Sequence, residues 1–147
     1  MNLFRASPTT IKLKHVRGKK KTLKVVITGG TKGLGRAMTK KFVETGDDVF
    51  VIARNALSED YIDHKLIRGY NGDIGKSNNY PIMFDNILKA FDGEIDIFVN
   101  CAAVSGGYRA FDTLQDEVIE RILMTNLLGT SLCSKYAYDV MHTVEDK

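Results

Sequence analysis

The chain has 147 residues, of which 44% are apolar and 27% charged, a composition that suits one globular domain and excludes a disordered or collagenous chain. Its longest apolar run, around Ile95 to Val104, is broken by Asp96 and Asn100 and falls short of the roughly 18 residues that span a bilayer. The net charge of +3 divides into +8 over residues 1–24 and −5 over residues 25–147, so the basic character belongs to one end and a nucleic-acid face on the body has little support.

Residues 1–23 read as a flexible basic leader. It has no apolar stretch of secretory type. It lacks acids and carries Ser7, Thr9 and Thr10, as organelle transit peptides do, but it is rich in Lys where those favour Arg. A cytoplasmic location is the expectation, with a plastid or another organelle as the alternative. The run Lys19 to Lys21 is either a solvated face or a contact for phosphate or anionic lipid. Cys101 and Cys133 have no CxxC spacing, which favours a reducing compartment. His15, His64 and His142 have no metal-ligand spacing, so no metal site is expected.

Along the body, the β-branched run Lys24 to Thr28 meets two glycines, and Leu34, Ala37, Met38, Phe42 and Val43 then recur at helical spacing. Gly46 reads as the glycine that closes this helix. Val49 to Ala53 is apolar without alternation, as in a strand covered on both faces. Leu66 to Tyr70 is a weaker third strand, Ile82 to Phe91 a second helix, and Ile95 to Val99 a fourth strand. Thr113 with Asp116 forms a capping-box signal for a long helix reaching about His142. Between Val118 and Leu128 that helix is apolar on nearly every side and needs cover on more than one face. The alternation predicts an α/β fold, a Rossmann-like doubly wound parallel sheet in the order 3-2-1-4, over residues 24–147. The expectation is a fold truncated after the fourth strand and the helix that follows.

The most specific signal is Thr28-Gly29-Gly30-Thr31-Lys32-Gly33-Leu34-Gly35, between the first strand and its helix. A sharp turn from strand to helix needs residues tolerant of positive φ, and a pyrophosphate approaches backbone amides only where no Cβ intervenes. The helix beginning near Gly33 then aims unpaired N–H groups and its positive dipole end at the phosphates. The spacing is neither GxGxxG nor a P-loop.

The pattern TGxxxGxG resembles the short-chain dehydrogenase/reductase family, with Thr28, Gly29, Gly33 and Gly35 on its fixed positions. Further motifs carry the resemblance in order. Asp73, followed by Ile74, stands where the family's aspartate meets the adenine ring. Asn100-Cys101-Ala102-Ala103 is similar to the family's NNAG, matching at Asn100 and Ala102 and departing at Cys101 and Ala103. The extra methyl of Ala103 is expected to cost some fit to the cofactor without abolishing binding. Asn126 stands like the helix asparagine of the family's proton relay, and a bond to the neighbouring sheet is its plainer reading. The cofactor-binding set so implied is Thr28, Gly29, Thr31, Lys32, Gly33, Leu34 and Gly35 in the turn, with Arg54, Asn55, Asp73, Ile74, Asn100 and Ala102 at the strand ends. The segment from Val104 to Met141 looks most like the chlorophyll b reductase branch.

Cofactor choice follows from charge. In dinucleotide folds an acidic residue about 20 residues beyond the glycines receives the ribose hydroxyls of NAD; here that place reads Ala53-Arg54-Asn55. Arg54 can pair with a 2′-phosphate and Lys32 adds a second charge, so NADP is favoured over NAD. Asp47 and Asp48 precede the second strand and restore no NAD site.

The family's proton donor is a tyrosine with a lysine one helical turn later, helped by a serine, on elements that follow the helix of Asn126. The YxxxK at Tyr61 to Lys65 falls between strands two and three and is a decoy. Tyr136 and Tyr138 have Val140 and His142 four residues on, and Ser105 reads as a turn residue. The expectation is therefore the cofactor-binding half of an NADP-dependent reductase acting on an unidentified small carbonyl or alcohol. A homo-oligomer through the 113–142 helix is implied by the resemblance. A non-catalytic NADP-binding or protein-interaction module and an inert remnant remain open beside it.

Overall fold

In the computed structural model, residues 21–58 and 64–142 are described. The leader up to Lys20, and Tyr61 of the YxxxK run, lie outside them. The four strands are β1 (Lys24–Thr28), β2 (Asp48–Ala53), β3 (Ile67–Asn71) and β4 (Ile97–Asn100). They form one parallel sheet in the order β3-β2-β1-β4, the predicted topology. Asp48 opens β2, one residue inside the strand instead of before it. β4 starts two residues later than read, because the Asp96 carboxylate takes the Lys24 N–H at 2.8 Å and turns the chain into the strand.

Side chains alternate across each strand and so feed two cores. Val25, Ile27, Val49, Val51 and Ile67 face α1 (Gly33–Glu44), against its Met38 and Phe42. Val26, Phe50 and Ile52 face the opposite layer. That layer contains α2 (Tyr80–Ala90), whose first turn accommodates Pro81 because its missing N–H has no helical partner there. It is completed by a long helix in three parts: α3 (Asp116–Ile122), a π-helical segment (Leu123–Gly129) and α4 (Thr130–His142). Phe84 and Tyr136 stack with ring centres 5.1 Å apart where α2 meets α4.

Two expectations about this long helix need correction. The capping box does not form: the N-cap is Gln115 with no side-chain cap. Thr113 instead ends a 3-10 turn (Phe111–Thr113), and its hydroxyl donates to the Ala110 carbonyl at 2.8 Å. A local backbone acceptor has outcompeted the cap. Nor is the helix uniform, since an extra residue per turn enters at the π segment, where Thr125 and Gly129 are buried against the chain after β3. Of the apolar positions read as needing cover, Val118, Ile119 and Ile122 are half-buried, whereas Leu123, Met124, Leu127 and Leu128 remain open among the described residues, Leu123 53% and Leu127 64% exposed. No described helix is long and apolar enough to cross a membrane.

Candidate functional site

The carboxyl ends of parallel strands leave a crevice where strand order reverses, and here that point lies between β1 and β4. Beyond it a cleft of about 320 Å³ is bounded by the β1–α1 turn, the ends of β2, β3 and β4, and the long helix.

Its floor is built by close backbone packing. Gly29 turns at φ +69°, and a Cβ on it would lie 2.7 Å from the Ala102 Cα; one on Gly35 would lie 2.3 Å from the Gly29 carbonyl oxygen. Only hydrogen fits at either place, so α1 sits hard against the turn. Thr28, fully buried, accepts the N–H groups of Cys101 and Ala102 on its hydroxyl oxygen, both at 3.1 Å. The Thr39 hydroxyl lies 3.0 Å from the Gly35 carbonyl and 3.3 Å from that of Gly30. Lys32 is the N-cap of α1 and provides no side-chain cap, so the helix keeps free N–H groups at the cleft for an acceptor.

Nine of the predicted site residues line this cleft: Gly29, Thr31, Lys32 and Gly33 at the turn, and Arg54, Asn55, Asp73, Ile74 and Ala102 at the strand ends. Ala103 and Cys101 line it too. Among the described residues Asp73 is the sole acid on its wall, and its Oδ1 receives the Gly75 N–H at 2.9 Å.

The remaining predicted residues lie elsewhere. Thr28 and Gly35 are beneath the floor, supporting it. Leu34 is 70% exposed and off the wall. Asn100 donates to Ser134 at 2.9 Å and faces a separate hollow of about 390 Å³ beside β4, with Phe98 and Tyr138. Asn126 grips Val104 reciprocally, accepting its N–H at 2.9 Å and donating to its carbonyl at 2.8 Å. That pair fixes the loop after β4, a loop contact in place of the sheet contact read from sequence.

Arg121 and Thr125 also line the cleft, and the sequence reading passed over both. Their separation of four on a helix was the available signal. Tyr80 was missed as well: its hydroxyl lies 2.6 Å from the Ile74 carbonyl and 3.1 Å from that of Gly129, tying the β3 turn to the long helix. Burial, with Cys133 beside it, pushes the Tyr80 phenol up, so it remains a donor. Burial likewise pushes the Cys133 thiol up to about 11 despite its bond to Tyr80, which makes it a packing group at neutral pH.

The family model for short chain dehydrogenase matches residues 23–146. Among curated relatives, a "Probable chlorophyll(ide) b reductase NYC1, chloroplastic" of Oryza sativa subsp. japonica is 32% identical over 140 residues, covering 80% of this chain and 28% of that protein. Among solved structures, ElxO with NADP bound superposes with a TM-score of 0.74 at 28% identity, over 84% of this chain and 52% of the other. A short chain dehydrogenase from Leptospira borgpetersenii with bound NAD+ gives 0.72 at 26%, over 82% and 46%. The chain thus spans about half or less of the length of these relatives. With four parallel strands in this order, a glycine turn at the sheet switch point and a family match across nearly the whole length, the chain belongs to the short-chain dehydrogenase family.

Proposed function

We propose that the chain binds NADP(H) in this cleft, as the cofactor-holding half of a reductase that interconverts a carbonyl and an alcohol. The observation that carries the reading is the charge at the end of β2, where Arg54 and the nearby Lys32 line the wall and Arg54-Asn55 directly follow the strand where an NAD site carries a carboxylate. The solved relatives are divided between NADP and NAD+, so the choice rests on these cations. A ribose 2′-phosphate gains charge-assisted hydrogen bonds from them, each contributing roughly 1.5–3 kcal/mol. The glycine floor fits a pyrophosphate, because Gly29 and Gly35 leave no Cβ between the turn amides and the cleft. When bound, the cofactor supplies a hydride; the chain's own residues position it through the turn amides, Arg54, Lys32 and Asp73.

Fluorescence titration of NADPH and NADH tests this. The wild-type chain is expected to favour NADPH, and Arg54→Asp to lower the NADPH/NADH affinity ratio by about a hundredfold. Equal loss for both cofactors overturns the 2′-phosphate assignment. Binding without oxidation of NADPH by added carbonyl compounds makes the chain a binding module.

The open stripe of Leu123, Met124, Leu127 and Leu128 on the long helix supports cover by a second copy of the chain. Sedimentation equilibrium is expected to show a dimer or larger species, with Leu127→Glu shifting it to monomer.

A further inference from the structure

We infer that Asn71 sets the cofactor preference indirectly, as the positioning residue that holds Arg54 at the cleft wall. The inference rests on the NADP(H) reading and adds a residue that does not itself line the cleft. Arg54 is exposed and makes no hydrogen bond, ion pair or ring contact among the described residues. A long side chain of this kind has many rotamers to lose on meeting a phosphate, so the place of its guanidinium depends on the backbone that carries it.

That backbone is held on both sides of Arg54 by the end of β3. Before it, the Ala53 carbonyl accepts the Gly72 N–H at 2.9 Å, where the pairing of β2 with β3 ends. After it, the Leu57 N–H donates to the Asn71 Oδ1 at 2.9 Å. Asn71 stands opposite Ala53 in the register, so its side chain reaches across the short turn that Arg54, Asn55 and Ala56 form. Ala56 is fully buried in the core on the α1 side. Leu57, in the 3-10 turn Ala56–Ser58, is 57% exposed, so its bond to Asn71, more than packing of its own side chain, fixes that end of the turn. Its N–H stands in the first turn of the 3-10 segment, where no partner exists within the segment itself. Lys32 is carried separately, at the N-cap of α1.

The test uses the full chain, with NADPH and NADH titrated by fluorescence and thermal melting followed alongside. Asn71→Ala is expected to lower the NADPH/NADH affinity ratio roughly two- to tenfold, the worth of one hydrogen bond, with NADH affinity unchanged and the melting temperature little altered. Asn71→Ser, polar but too short to reach the Leu57 N–H, is expected to match it. The same loss is expected when Asn71→Ala is placed on a Lys32→Ala chain, and none on an Arg54→Ala chain, because the effect passes through Arg54. Equal loss for both dinucleotides, or a lowered melting temperature with an intact ratio, would make Asn71 a general support of the fold and overturn the inference. A further fall of the ratio on the Arg54→Ala chain would overturn it too. A wild-type preference for NADPH that survives both Asn71 substitutions overturns this inference alone, whereas a wild-type chain that binds the two dinucleotides alike overturns the NADP(H) reading with it.

Discussion

Thr28 has a sequence position that points to the phosphate turn and a set of contacts that points under it. Its side chain is wholly buried and its hydroxyl oxygen takes two N–H groups from the chain just after β4. Thr28→Val preserves the shape and the β-branched preference for a strand but leaves both donors without that acceptor. A buried unsatisfied donor costs about 1–3 kcal/mol, so a destabilisation of about 2–4 kcal/mol is expected in urea unfolding. A change below about 0.5 kcal/mol would mean that water satisfies the two amides and that Thr28 is not what couples the ends of β1 and β4. The sequence marked Thr28 because of its neighbours Gly29 and Gly33. Its partners at Cys101 and Ala102 stand more than seventy residues away, a separation that no local pattern encodes.

At the scale of the element, the π-helical segment decides where the helix wall of the cleft stands. A Cβ on Gly129 would come within 2.5 Å of the Ile74 carbonyl oxygen, and Gly75 meets Thr125 in the same contact. Helix and β3 turn are therefore in backbone contact, and the Tyr80 hydroxyl bridges the two carbonyls there. Gly129→Ala must push them apart. A stability loss of about 1–3 kcal/mol is expected from the overpacking, together with weaker NADPH binding, because Asp73, Ile74 and Thr125 share that wall. Unfolding and titration of the same variant check both parts. Binding that stays normal despite lost stability would show that the wall can shift without deforming the cleft. Helical periodicity made the element legible from Val118 onward, but its register did not, since an inserted residue is set by what the helix packs against.

For the whole molecule, Asp96 links the start of β1 to the entrance of β4. It receives the Lys24 N–H at 2.8 Å and the Lys21 ammonium at 2.7 Å, and its own N–H donates to the Lys24 carbonyl at 3.0 Å. Burial pushes its carboxyl up, but the hydrogen bonds from Lys21 and the Lys24 backbone, with the charges of both lysines, outweigh burial and hold it below its ordinary 3.8. The Lys21 ammonium is raised correspondingly by that bond. A carboxyl with a depressed folded pKa contributes stability that is complete above its unfolded value and disappears as pH falls through the folded value. Stability is thus expected to decline below about pH 4, with a shallower decline in Asp96→Asn. An identical acid limb in the variant would assign the transition to other carboxylates. Beside the Lys21–Asp96 bond, the Leu23 N–H donates to the Asp47 carboxylate at 3.2 Å, which ties the last residues of the basic stretch to the sheet.

The strand run Lys24 to Thr28, the unbroken apolarity of Val49 to Ala53 and the glycine turn between them were enough, on sequence alone, to determine a parallel Rossmann-like sheet, its order and the end of the sheet at which the glycine turn borders a cleft. Each is a local pattern: a period, a run of β-branched residues, or a backbone that excludes Cβ. Tertiary structure decided which predicted residues line the cleft and which brace it, moving Thr28, Gly35, Asn100 and Asn126 to supporting places and bringing Arg121 and Thr125 to the wall. Those outcomes depend on how closely two backbones approach and on hydrogen bonds between residues distant in the chain. Distance in space is fixed only when the sheet and its helices pack.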